Sequence, residues 1–226
     1  MIMIEGIRVI DLTGKTRFRI GWVMSSLLAI VLFTGCAEKG PILLNVAYQP
    51  SEGKAVTSKK IIVGLSSFND KREAAASILG TRTIPSGMQS DFVVEGTVAE
   101  VVTTALKAAL TERGLIVKDV PSWDLTAEGM RAEGAELLFG GEIKIMGLES
   151  KATSLKTSLT ASVQIRVVVG DIAEKKIMRT LDVNSKIEQE VLYSRDKMES
   201  ALSEALTSAL DQIFRDDVLS KRLQPR

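Results

Sequence analysis

Leu155-Lys156-Thr157-Ser158-Leu159-Thr160-Ala161-Ser162-Val163-Gln164-Ile165-Arg166-Val167-Val168-Val169 alternates apolar or neutral side chains with polar ones for most of its length. A β-strand turns successive side chains to opposite faces. Leu155, Thr157, Leu159, Ala161, Val163, Ile165, Val167 and Val169 therefore share one face, and Lys156, Ser158, Thr160, Ser162, Gln164 and Arg166 share the other. One face belongs to a core and the other to water, the pattern of an antiparallel sheet covered on one side. Downstream, Gly170-Asp171 marks a turn, and Ile177, Leu181, Val183, Ile187 and Val191 continue the apolar side of a further strand. Upstream, Ile143 and Ile145 point one way along a preceding strand, and Gly140-Gly141 fits a bulge or a close approach of backbones. The three strands make a long antiparallel meander.

Ahead of the meander, Lys59 to Leu65 reads as a short β-branched strand stopped by Ser66-Ser67-Phe68-Asn69-Asp70. A long loop to about Ser90 follows, holding Gly80, Pro85 and Gly87. Asp91 then caps a helix striped by Val94, Val98, Val101, Val102, Ala105, Ala109 and Leu110, with Gly114 as its stop. Leu115-Ile116-Val117 resumes as a strand, so a β-α-β unit frames residues 60 to 118. Asp124 or Thr126 opens a short helix through Met130, ended by Gly134. After the meander, Ser194 caps a helix with Met198, Leu202, Ala205, Leu206, Ala209, Ile213 and Phe214 on one stripe. The fold class is α+β, a two-layer domain with the helices packed on one face of the sheet.

The chain has 226 residues, 29 Lys+Arg against 28 Asp+Glu, and 4% aromatics. A formal charge of +1 provides no basic field for phosphate backbones, and so few aromatics leave little to stack bases on, so no nucleic-acid partner is expected. His is 0, which removes Ser/His/Asp and Cys/His nucleophiles and the commonest metal ligand. One cysteine leaves no zinc or iron site, and no Asp-x-Asp-x-Asp calcium loop is present. Ser-x-x-Lys at Ser51 to Lys54 and at Ser194 to Lys197 reads as a linker and a helix cap. Glu188 and Glu190 share one wet strand face rather than opposing each other across a cleft. Gly14-Lys15-Thr16 lacks the first glycine of a phosphate loop, because Val9 stands there. The expectation is that the chain is no enzyme and carries no cofactor.

The address lies in the first thirty-six residues. Lys15, Arg17 and Arg19 form a basic region before the apolar run Ile20 to Phe33, which is shorter than the roughly 20 residues that span a bilayer. Leu32-Phe33-Thr34-Gly35-Cys36 follows, with small residues just ahead of the only cysteine. This resembles the lipobox of bacterial lipoproteins, with Phe33 where that motif usually has Leu. The resemblance implies cleavage before Cys36, a covalent diacylglycerol and an N-acyl chain on it, and anchoring to a membrane. Ala37 resembles the default signal for the outer membrane, facing the periplasm. The expected organisation is a signal peptide over 1–35, a lipidated N-terminus and flexible tether over 36–58, one α+β domain over 59–216, and a polar tail over 217–226.

Phe68-Asn69-Asp70-Lys71-Arg72 leads to Leu79-Gly80-Thr81-Arg82, and Ala135-Glu136-Leu137-Leu138-Phe139-Gly140-Gly141-Glu142-Ile143 precedes the long strands. The order strand, Asp-x-Arg, Gly-x-Arg, helix, strand, meander and helix resembles the YajG-type bacterial lipoproteins over residues 58 to 215. It implies a non-enzymatic lipoprotein. Asp70, Arg72 and Arg82 have two readings. They clamp the long loop through guanidinium–carboxylate contacts, or one arginine stays free for an anionic envelope group. The expected function is a non-catalytic, lipid-anchored module that binds an envelope protein, cell-wall or lipid component, with an open sheet edge available for homo-oligomerisation. The alternative is an auxiliary lipoprotein subunit of an envelope transport or assembly machine, which requires an apolar groove between helices and sheet.

Overall fold

Three long strands carry the domain: β7 (Leu137–Ala152), β8 (Thr157–Asp171) and β9 (Lys176–Val191) pair in antiparallel order, β7 with β8 and β8 with β9. The computed structural model describes residues 40–50 and 60–223. Leu159, Ala161, Val163, Ile165, Val167 and Val169 of β8 are buried beneath the helices, as the alternation requires. Leu155 is exposed because the turn between β7 and β8 takes it up.

The first strand of the meander departs from simple alternation. The β7–β8 register shifts between Ile143 and Ile145, so Lys144 is an extra residue. Ile143 is buried while Ile145 is 46% exposed, because one inserted residue moves every later side chain to the other face. Met146, Leu148 and Ser150 enter the core instead. Gly140 and Gly141 mark a close approach rather than the bulge: a Cβ on Gly141 would overlap the Arg166 carbonyl oxygen, and one on Gly140 would crowd Trp123.

The other edge of β7 is shared by three short strands laid end to end, all parallel to it. These are β2 (Ile62–Ser66) against 137–139, β3 (Asn69–Asp70) against 142–143, and β4 (Ile78–Thr83) against 148–151. β5 (Gln89–Val93) returns antiparallel to β4, and β1 (Ile42–Leu43) lies parallel outside β5. The segment expected as a long loop to Ser90 thus contains a β-hairpin, β4 and the start of β5. Its tip is a tight turn in which Gly87 donates to Ile84 O and Ile84 to Met88 O.

β5 also moves the start of the first helix. α1 is Val98–Glu112, with Thr97 rather than Asp91 as its cap. Thr97 accepts from Glu100 N and the Glu100 carboxylate accepts from Thr97 N, so a capping box satisfies two otherwise orphaned donors. β6 (Ile116–Val120) then pairs parallel to β2 and completes the β-α-β unit. Residues 121–136 form turns, not the expected short helix. Asp124 accepts from both the N and Oγ1 of Thr126, a local bond that competes with helix. The segment lays Trp123 against Leu138, Val168 and Ala132, a small second core on the face away from the helices.

α2 (Arg195–Ile213), capped by Ser194, packs over β8 and β9. Two expectations about the ends are corrected. The stretch 40–50 is not a free tether: Ile42, Leu44, Val46 and Tyr48 are buried, and the intervening Asn45, Ala47 and Gln49 amides donate to Glu199, Ser203 and Thr207, one helical turn apart on α2. A period-two strap thus meets a period-3.6 helix, spaced so that each step of the strap finds a side chain. Residues 51–59 lie outside the described residues. The stretch after 216 is not a polar tail, because α3 (Asp217–Leu223) buries Leu219 and Leu223, and Asp216 caps it by accepting from Val218 N and Leu219 N.

Candidate partner-binding site

The Asp-x-Arg pair sits where β3 ends. Lys71 N donates to Ile143 O at 3.0 Å, which holds the chain against β7 beside its bulge. From there Arg72 folds back on Asp70, its Nε and Nη2 donating to the two carboxylate oxygens at 2.9 and 2.8 Å. Nη1 donates to Ile78 O at 2.6 Å and Met146 O at 3.2 Å, and Nη2 also reaches Ala76 O at 3.4 Å. Every guanidinium N–H is used. The Arg72 side chain is 6% exposed and that of Asp70 17%. Burial raises the Asp70 pKa, but the Arg72 hydrogen bonds and charge outweigh it and hold the carboxyl below its ordinary range. The pair ties the 71–78 segment to β7 and leaves no donor for an outside group.

Arg82 stands apart from that clamp. Its β4 position is paired with Ser150 on β7 and with Ser90 on β5. Residues in register on parallel strands share a face, so Arg82 and Ser150 point to the same side, the helix side. The Arg82 guanidinium carbon lies 3.5 Å from the centre of the Tyr193 ring. Its Nε is buried without a hydrogen-bond partner, and so is the Oγ of Ser150, a residue 1% exposed. No carboxylate among the described residues pairs with Arg82. By contrast Arg113, which stacks on Phe214 in a similar way, also bonds Asp211 at 3.0 Å and Ala109 O at 2.8 Å. Tyr193 immediately precedes the cap of α2, so the positive end of that helix dipole lies nearby.

The result is a half-buried flat cation held against an aromatic ring, with its Nε and the Oγ of Ser150 on the same side of the sheet both lacking a hydrogen-bond partner. A guanidinium that no carboxylate among the described residues neutralises suits a planar or tetrahedral oxyanion from outside. Sequence reading singled out Arg82 but neither Ser150 nor Tyr193. A serine at a core position was the available signal for Ser150. Tyr193 meets Arg82 only through the packing of β9 and α2.

The remaining sequence candidates resolve into structural roles. Ser194 Oγ accepts from Lys197 N, which makes that Ser-x-x-Lys a cap, and Ser51 and Lys54 lie outside the described residues. Glu190 pairs with Lys156 at 2.8 Å and Glu188 with Lys186 on the wet face. Among the described residues no three His, Cys, Asp or Glu side chains converge as a metal site. Nor is any helix there long and apolar enough to cross a membrane. A pocket of about 130 Å³ opens between Leu43–Val46, Val94, Val101 and Arg195, well under the ~300–1,000 Å³ of ordinary ligand sites. Cys36 lies outside the described residues.

No protein-family model matches the chain, and no curated protein matches it. Among solved structures, protein XCC0632 from Xanthomonas campestris, of family DUF330, superposes with a TM-score of 0.53 at 8% identity. The match covers 80% of this chain and 95% of that one. It shows a shared α+β fold. The PelC dodecamer from Paraburkholderia phytofirmans (TM-score 0.39, 12% identity, covering 73% and 92%) and a minor lipoprotein from Acinetobacter baumannii (0.39, 13%, 72% and 95%) are more distant.

Proposed function

We propose that this chain is a non-catalytic, lipid-anchored module of the bacterial cell envelope that holds an anionic group of an envelope partner at Arg82. One observation carries the binding reading: Arg82 is half-buried, stacked on Tyr193, and has neither a carboxylate nor a side-chain hydrogen-bond acceptor among the described residues. A buried cation without a counter-charge is costly, and a partner carboxylate or phosphate supplies what is missing. The anchor rests on Leu32-Phe33-Thr34-Gly35-Cys36, and Ala37, which resembles the default outer-membrane signal, supports a domain at the outer membrane facing the periplasm. A covalent diacylglycerol and an N-acyl chain on Cys36 would hold it stably, since about 0.8 kcal/mol accrues per buried methylene.

The anchor is tested by fractionation and intact mass. The native chain is expected in membranes with added acyl mass, and Cys36→Ala in the soluble or unprocessed fraction. Identical behaviour of the two sinks the lipobox reading. The site is tested by cross-linking in cells. Arg82→Ala is expected to shift the melt by only a few degrees, since a stacked cation contributes about 1 kcal/mol, while losing most cross-linked partner. Arg82→Lys keeps the charge but not the bidentate fork, so recovery is expected to be partial. A large fall in melting temperature with partner retained would make Arg82 a structural residue.

The transport-subunit reading needs an apolar groove between helices and sheet. Val102, Leu106, Leu110, Leu202, Leu206 and Ile213 fill that interface and are all fully buried, so no observation favours it.

A further inference from the structure

The outer edge of β9 pairs with no strand among the described residues, yet it is open along only part of its length. Asn184 N donates to Gln212 Oε1 at 3.4 Å and Gln212 Nε2 donates to Asn184 O at 2.6 Å. Because Asn184 N–H turns toward α2, its backbone groups point away from β8. The alternation of an antiparallel ladder then points those of Lys186, Glu188 and Glu190 outward too. Gln212 stands in for a neighbouring strand at Asn184 and closes the edge there. Beyond it the outward backbone donors and acceptors of the Lys186–Glu190 stretch have no partner among the described residues.

We infer that this stretch pairs with the same stretch of a second copy, antiparallel about Ile187. The charges select that occupant and that register. With Ile187 opposite Ile187, each Lys186 faces the other copy's Glu188 on the wet side of the joined sheet. Sliding one ladder step one way sets Lys186 against Lys186; sliding the other way sets Glu188 against Glu188 and turns each Lys186 onto a Glu190 that Lys156 already holds at 2.8 Å, and like charges directly opposed are destabilising. Two hydrogen-bonded pairs form, each Lys186 exchanging both backbone bonds with a Glu188. Further growth of the ladder would bring Glu190 of one copy onto Asn184 of the other, where Gln212 already sits. The contact is therefore short and closed, a discrete pair rather than a growing fibre.

Single cysteines test the register in the full chain carrying Cys36→Ala, so that the introduced thiol is the only one. In the inferred pairing the two Ile187 Cα atoms form a non-hydrogen-bonded pair about 4.5 Å apart, within disulfide reach. Two copies of Ser185, or of Gln189, are separated by four residues along the strand, about 14 Å, and cannot bridge. Under mild oxidation Ile187→Cys is expected to give a disulfide-linked species of twice the chain mass, at least tenfold above Ser185→Cys or Gln189→Cys alone. Mixing those last two variants is expected to restore it. Lys186→Glu is expected to cut the Ile187→Cys yield severalfold, and adding Glu188→Lys to recover it, with melting temperatures unchanged. Equal yields at the three positions, no dimer, or a disulfide to a different protein overturns the inference. None of these readouts depends on Cys36 or Arg82, so failure here leaves the proposed function standing, and the reverse holds.

Discussion

Arg72→Ala is expected to remove about 3–5 kcal/mol of folding stability, the cost of leaving one member of a buried ion pair without its partner. At roughly 2–4 °C per kcal/mol for a domain of this size, the melting temperature should fall by about 10 °C. Three effects add: the Asp70 carboxylate loses its counter-charge, the carbonyls of Ile78 and Met146 lose a donor, and the 71–78 segment loses its tie to β7. Arg72→Lys should recover little, because a point charge cannot reach two carboxylate oxygens and two carbonyls together. The pH dependence separates the ion pair from the packing of the arginine stem. Arg72 holds the folded-state pKa of Asp70 below its ordinary 3.8. The Asp70 contribution is therefore fully present above that value and is lost as pH falls through the lower folded one. The stability gap between wild type and Arg72→Ala should be constant near neutrality and narrow below pH 3.8. A gap of under 3 °C at neutral pH would mean that the pair does not hold the segment.

The elements that were legible in sequence are those whose signal is long and local. Twelve residues of alternation from Leu155 to Arg166 fix β8 and its buried face, and a stripe from Met198 to Ile213 with Ser194 ahead of it fixes α2 and its cap. What escaped was governed by single residues or by contacts distant in sequence. One inserted residue, Lys144, turned Ile145 outward, and no periodicity marks where an insertion falls. Ile42, Leu44, Val46 and Tyr48 do alternate, but Pro41, Pro50 and Gly40 drew the reading toward a linker, and the acceptors that fix the strap lie on α2, more than 150 residues away. Asp91 looks like a cap when its residue type is weighed alone. Thr97 has Glu100 three residues on, and that reciprocal bond decides the start of α1. Leu219 and Leu223 sit among charges, four apart, and four-residue spacing is all that a short helix can show.

The candidate site divides along the same line. Asp70 and Arg72 are two residues apart, and their pairing follows from local chain geometry. Arg82 was grouped with them because all three fall in one apparent loop. Strand formation by β4 carries Arg82 to the far end of β7 instead, beside Ser150 and under Tyr193. The two readings weighed for the trio thus fall on different residues: the clamp geometry on Arg72, the free cation on Arg82.

Gly80 is what allows β4 to reach that place, and Gly80→Ala is expected to be more damaging than any other small substitution in the hairpin. Its φ of +143° is a conformation that residues with a Cβ rarely adopt. It also follows the register shift between Ile78 and Gly80 in the β4–β5 pair, where Leu79 is the extra residue and turns into the core. Across the parallel pairing with β7, a Cβ at Gly80 would overlap the carbonyl oxygen of Leu148 and crowd its N and C atoms. Backbone cannot swing aside as a side chain can. Alanine must therefore either force the 80–83 stretch off β7 or push β7 off β8. Strain of about 1–3 kcal/mol for the backbone angle adds to the lost pairing, for a total near 4 kcal/mol or more. Gly87→Ala is the internal control. Gly87 also has a positive φ, +82°, but nothing lies within 4 Å of the Cβ position, so only the strain of about 1 kcal/mol remains. The melting temperature of Gly80→Ala should fall by about 10 °C or more and that of Gly87→Ala by a few degrees. Amide exchange at Thr81–Thr83 should speed up in the first variant alone. Since Arg82 rides on this stretch, Gly80→Ala should also lose whatever cross-linked partner Arg82→Ala loses. Equal melts for the two glycine variants would show that β4 can leave β7 without cost, and Arg82 would then have no fixed place from which to act.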